Sequence, residues 1–168
     1  MAKIKLTNVR LSFPSIFNRA EFNGEQGKFE ATFLMDKDSQ ADQIAKLESA
    51  IEAAIKEAKI KVPSDKRCLK DGDEVEYDGY ANMMSLKASS KKRPTVIDRD
   101  KTALAEDDQN APYAGCYVNA IIDLWVQNNN FGKRVNANLY GIQFVKDGEA
   151  FGSGDIDVMD DFDDIDDI

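Results

Sequence analysis

The stretch CYVNAIIDLWVQNNNFGKRVNANLYGIQFV, residues 116–145, decides the fold. Val118, Ala120, Ile122, Leu124 and Val126 are apolar at every second position. A strand turns successive side chains to opposite faces, so this spacing predicts a strand with one buried side. NNNFG supplies a turn, and a return strand over 134–145 sets Val135, Ala137, Leu139 and Val145 inward. The outward faces then lie side by side: Tyr117, Asn119, Ile121, Asp123 and Trp125 next to Arg134, Asn136, Asn138 and Tyr140. Aromatics on a polar sheet face, mixed with Arg and amides, suit the stacking of unpaired bases. The competing reading is that a helix or loop covers Trp125 and Tyr140.

Upstream, the same alternation recurs. In KIKLTNVRLSF, residues 3–13, Ile4 and Leu6 are even while Val9, Leu11 and Phe13 are odd. A parity slip of one inside a strand is what a β-bulge produces, so a bent first strand is expected with its bulge at Thr7–Asn8. Residues 28–36 place Phe29, Ala31, Phe33 and Met35 on one face of a second strand. Residues 39–60 change period: Ile44, Leu47, Ile51, Ile55 and Ala58 form a helical stripe that packs against a core. Ser39 and Asp42 form a weak capping box, and Pro63 lies past the helix end. Residues 64–80 read mainly as loop. Residues 80–90 read as a strand with Met84, Leu86 and Ala88 on one face, KKRP follows, and TVID is a short partner strand.

Charge is unevenly placed. The chain of 168 residues carries a formal −9, from 22 bases and 31 acids. Eight of those acids, and none of the bases, lie in DIDVMDDFDDIDDI, residues 155–168, which leaves the preceding residues at about −1. Within that tail Ile156, Met159, Phe162, Ile165 and Ile168 recur every third position. Read alone, the tail is a solvated acidic end, expected to be disordered. Against a near-neutral body it is also a polyanion mimic, with apolar anchors for a partner's pocket.

Enzyme chemistry has little to work with. There is no His, which removes the commonest general base and zinc ligand. No phosphate-binding loop, HExxH or GxSxG occurs. Cys68 and Cys116 have no metal-ligand spacing and read as free thiols of a reducing cytoplasm. No cofactor, metal site, signal peptide or membrane span is expected. By contrast, Lys91, Lys92 and Arg93 follow Lys87, Ser89 and Ser90 at the end of a strand. Bases attract phosphates in a salt-sensitive way, and hydroxyls donate to phosphate oxygens.

The stretches LTNVRLSFPSIF, FNGEQGKFEATFLM, DGDEVEYDGY, ASSKKRPTVIDRD, YAGCYVNAIIDLWV and LYGIQFVKDGEAFG, together with their order, resemble a phage-encoded family of single-stranded DNA-binding proteins. The resemblance runs through residues 6–152. It implies an OB-fold-like, five-stranded Greek-key barrel that usually ends in an acidic tail. It implies a role in phage replication or recombination, in the host cytoplasm. SSKKRP matches the family's basic hairpin, so Ser89 to Pro94 inherit a strand-contacting role. YDGY and YAGCYVNA match signatures around Tyr77, Tyr80, Tyr113 and Tyr117, with DNA-contacting and barrel-holding roles both open. One departure stands out: the helix follows the second strand, whereas an ordinary OB barrel carries it after the third. Either this variety moves it, or a further strand precedes residue 39.

The expectation is therefore a mainly β, non-enzymatic, sequence-tolerant binder of single-stranded DNA. Its barrel domain spans 1–152, with one amphipathic helix at about 39–60 and a flexible tail over 153–168. Lys87, Ser89, Ser90, Lys91, Lys92, Arg93 and Arg134 would hold phosphates. Tyr80, Tyr117, Trp125 or Tyr140 would stack bases beside Asn136 and Asn138, the division between stacking and core rings being left open by the sequence. The tail segment Asp160, Asp161, Phe162, Asp163, Asp164, Ile165, Asp166, Asp167 and Ile168 would compete for the DNA groove and recruit a DNA polymerase or another replication or recombination protein. A homodimer stays open. The rivals are an acidic interaction module that never touches nucleic acid and a metal-dependent nuclease using Asp71 and Asp73.

Overall fold

Alternation builds five long strands, and their twist closes them on themselves. The computed structural model describes residues 3–19, 21, 22, 25–77 and 79–151, with 21, 22, 25 and 26 as backbone. The strands are β1 (Ile4–Ser15), β2 (Glu21–Phe22), β3 (Glu25–Gln26), β4 (Phe29–Asp36), β5 (Leu69–Asp71), β6 (Met83–Ser90), β7 (Thr95–Ile97), β8 (Tyr117–Asn129) and β9 (Gly132–Lys146). The helix α1 spans Ala41–Ala58. Antiparallel pairs join β1 to β4 and β8, β4 to β6, and β8 to β9. A parallel contact between β6 and β9, Ser89 opposite Asn138, closes the ring. This pairing of β1, β4, β6, β8 and β9 is the five-stranded Greek-key barrel of the OB type. The helix does follow the second barrel strand, and among the described residues only the two-residue ribbon of β2 and β3 lies between β1 and β4.

The expected bulge is present. The β1–β8 register shifts between Leu6 and Val9, and Asn8 has φ 52°. An extra residue leaves backbone groups without ladder partners. Amide side chains supply them: Thr7 N donates to Gln43 Oε1 at 2.8 Å, Asn8 N donates to Asn119 Oδ1 at 2.9 Å, and Gln40 Nε2 donates to Asn8 O at 3.0 Å. The bulge thus anchors the start of α1. Ile44, Leu47, Ile51 and Ile55 are buried as the stripe requires, each contributing about 1.5–3 kcal/mol of burial. Ala54 is buried with them, whereas Ala58 is exposed because it lies in the last turn.

Several local expectations are corrected. The Ser39–Asp42 capping box does not form. The helix cap is Gln40, and Asp36 accepts instead from the amides of Asp38 and Ser39, at 2.8 and 2.9 Å. The segment read as loop over 64–80 contains β5, which pairs with β6 opposite Leu86. The TVID strand does not return along β6; β7 runs parallel to β9, Thr95 opposite Gly141. In β9 the inward residues after Leu139 are Ile142 and Phe144, and Val145 turns outward. The cause is a second bulge: Ile122 faces Leu139 while Ile121 faces Gly141, which leaves Tyr140 as the extra residue.

Candidate nucleic-acid interface

A groove of about 520 Å³ crosses the outer face of β4 and β6. Glu30 and Thr32 of β4 and Ser85 and Lys87 of β6 form its floor, because strand residues of that parity point away from the core. Arg134 and Asn136 of β9 close one side, and Lys66, Arg67 and Lys70 rise from the segment around β5. Phe13, Tyr77 and Tyr80 form one end. In OB barrels the face of the second and third strands, with the adjoining loops, is where oligonucleotides bind.

The aromatic end is a cluster of three rings. Phe13 and Tyr77 lie edge to face at 5.2 Å, and Tyr77 and Tyr80 likewise at 5.2 Å. Phe13 is 57% exposed and Tyr77 55%. Parity counts Phe13 with the core residues Val9 and Leu11, and the structure reverses that reading. Phe13 sits at φ 45°, where the β1–β4 register shifts between Ser12 and Ser15. That left-handed conformation costs an L residue about 1–2 kcal/mol and turns the ring out. Tyr80 is corrected in the other sense. It is 4% exposed, and its hydroxyl lies 2.8 Å from the buried Ser12 Oγ. It backs the two exposed rings and offers no free face for a base.

Charge in the groove is mixed. Lys87 Nζ lies 3.5 Å from Glu30, and Arg67 pairs with Glu52. Among the described residues Lys66, Lys70 and Arg134 have no ion-pair partner. Asp71 and Asp73 both bind the Lys37 ammonium at 2.6 Å. The Lys37 hydrogen bond holds the Asp71 carboxyl below its usual range; for Asp73 the Asn82 amide does so first and Lys37 second. An ammonium thus already sits between the two carboxylates of the nuclease reading. Cys68, on the groove wall, has its thiol pushed up to about 11 by burial.

Lys87, Arg134 and Asn136 therefore come together in the groove. Trp125, 37% exposed and paired across the hairpin with Asn136, prolongs it. At the β8–β9 turn beyond it Phe131 is 86% exposed. Ser89 and Ser90 lie at the far end of β6, and Lys91, Lys92 and Arg93 are exposed in the turn after it. Tyr117, Asn138 and Tyr140 are elsewhere. The Tyr117 ring lies under Lys146 Nζ at 4.8 Å, while Asn138 and the Tyr140 hydroxyl both donate to Asp123, at 2.8 and 2.7 Å. The flat platform read from the hairpin is split because the barrel curves and the Tyr140 bulge bends β9. Phe13, Lys66 and Lys70 are additions of the structure; YDGY already carried Tyr77. The tail residues from Asp160 to Ile168 lie outside the described residues.

The chain leaves the described residues close to this site. Phe151 stacks under the Arg10 guanidinium at 4.2 Å and lies against Gly79. A Cβ at Gly79 would come within 2.1 Å of the Phe151 ring, and φ is +83° there, so glycine is required twice over.

An OB-type barrel with exposed rings and bases around a groove over its second and third strands defines the class: a binder of extended oligomers with flat, anionic units. More particularly, the chain belongs to the family of the Enterobacter phage Enc34 ssDNA-binding protein, whose family model matches residues 2–168. It is similar to the single-stranded DNA-binding protein of bacteriophage Enc34, at 32% identity and a TM-score of 0.81, over 96% of this chain and 90% of that one. The same phage protein solved in complex with ssDNA matches over 89% of each chain, again at 32% identity and a TM-score of 0.81. A putative protein p50 of Acyrthosiphon pisum secondary endosymbiont phage 1 is 42% identical, over 97% of this chain and 94% of that protein. These relatives make the chain a member of a non-enzymatic, phage-encoded binding family. Among the described residues no helix is long and apolar enough to cross a membrane.

Proposed function

We propose that this protein coats single-stranded DNA without sequence preference during phage DNA replication or recombination, in the cytoplasm of the bacterial host. The observation that carries the reading is the exposed Phe13–Tyr77 pair at the end of a groove lined by Lys87 and Arg134. Rings accept any base on their faces, and the bases hold phosphates, so affinity is sequence-tolerant and falls with salt. The Enc34 relative solved with ssDNA supports the same ligand. Titration of oligo-dT against Trp125 fluorescence tests it. Quenching that weakens as salt rises is expected; no quenching at low ionic strength overturns the reading.

The acidic tail competes with DNA for this groove. Phe151 brings the chain out beside Gly79 and the aromatic cluster, and eight Asp follow within 155–168. Deleting 155–168 is expected to strengthen oligo-dT binding several-fold at low salt, with the gain fading as the Debye length shrinks. Unchanged affinity at low salt would remove the competition. The same tail recruits a replication or recombination protein through Phe162 and its neighbouring Ile residues. Phe162→Ala is expected to weaken that recruitment and leave DNA affinity nearly unchanged.

A further inference from the structure

A second groove, of about 440 Å³, lies on the wall made by β1, β8, β9 and the adjoining β7, across from β4 and β6 in the strand order. It shares no lining residue with the first groove. Its floor is aliphatic, with Ile97 and Ile121 half-buried over Ala120 and Ile142. Lys3, Lys5 and Lys101 stand exposed around it, no carboxylate lines it, and none of the three takes part in an ion pair among the described residues. With one aromatic, Tyr140, whose hydroxyl is committed to Asp123, it is poorly made for stacked bases.

We propose that this groove seats the chain's own acidic tail when DNA occupies the first one. The tail repeats Asp-Asp-apolar from Asp160 to Ile168, so Phe162, Ile165 and Ile168 alternate with pairs of carboxylates. That pattern is complementary to an aliphatic floor ringed by lysines. Reach is sufficient. Phe151 N bonds Ala114 O, three residues before β8 begins at Tyr117, and Ile121 lies four residues further on. At about 3.3 Å per residue, Tyr117 to Ile121 is about 13 Å. The nine residues from 152 to 160 span up to about 30 Å. The inference rests on the functional reading for the first groove and adds a place for the displaced tail, from which a partner protein must detach it.

The test uses full-length isotope-labelled protein saturated with oligo-dT, compared with the variant lacking 155–168 in the same state. Amide shift differences at Ile97, Ile121 and Gln143 are expected. They should vanish in the Phe162→Ala/Ile165→Ala variant, and also in the Lys3→Gln/Lys5→Gln/Lys101→Gln variant, while Trp125 quenching by oligo-dT stays within about twofold of the parent. No differences, or differences confined to the groove of Lys87 and Arg134, overturn the proposal. If oligo-dT does not quench Trp125 at all, the functional reading fails separately. The peptide 155–168 added to the tail-less chain then decides the seat by the same amide signals.

Discussion

The two grooves of this barrel draw on opposite ends of β1 and β9 and share almost no chemistry. The N-terminal half of β9 lends Arg134 and Asn136 to the first, and the C-terminal half lends Tyr140 to Gln143 to the second. The first has exposed aromatic rings and interleaved charges, with Lys87 beside Glu30. The second has an aliphatic floor rimmed by lysines and neutral polar side chains, with Tyr140 as its one aromatic lining residue. Flat rings select flat ligands, whereas an aliphatic floor accepts branched side chains of any shape. Charge tells the same story at longer range. Spaced bases meet a regular phosphate backbone, while a lysine ring with no carboxylate meets a dense acidic peptide.

The largest effect is expected from the rings. Phe13→Ala/Tyr77→Ala removes two stacking faces worth about 1–3 kcal/mol each, so oligo-dT affinity should fall at least about thirtyfold by Trp125 fluorescence. A loss under about threefold would move base stacking to Trp125 or Phe131 and break the contrast. Next comes Tyr80→Phe, which leaves the buried Ser12 hydroxyl without its partner. Urea unfolding should show about 1–3 kcal/mol less stability, with oligo-dT affinity of the folded protein unchanged. A large affinity loss would make Tyr80 a contact instead of a support.

Smaller changes separate the two grooves by salt. Lys87→Gln and Arg134→Gln should each flatten the dependence of log affinity on log salt by about 0.7. Lys3→Gln/Lys5→Gln, on the other wall, should leave that slope as it is in the tail-less chain. Equal flattening by both sets would mean that DNA wraps onto the second groove. Smallest is Tyr140→Phe, which drops one exposed hydrogen bond to Asp123 and should change oligo-dT affinity by less than about twofold.

Legibility in the sequence followed the regularity of the backbone. The Thr7–Asn8 bulge could be read because it slips the parity of the residues on either side. The turn-out of Phe13 could not, because Phe13 stays in phase with Val9 and Leu11 and only its positive φ reverses it. The Tyr140 bulge was hidden for the same reason, since Val145 is as apolar as Ile142 and Phe144. Lys87 and Arg134 were found from local charge and parity. Lys66 and Lys70 were missed because β5 is three residues long and looks like loop.

By itself the sequence determined the long alternating strands, the helical stripe over 39–60, and the division between a near-neutral body and an acidic, periodically apolar end. Each of these is local: period 2 or 3.6, or a run of charge, read within a dozen residues. Only the tertiary structure decided which aromatic faces are open and which lysines share a groove. Phe13 meets Tyr77 across 63 intervening positions, and Lys3 and Lys5 meet Lys101 across nearly a hundred. Such meetings depend on barrel closure, strand order and the places where bulges bend the strands, none of which has a signature at either partner alone.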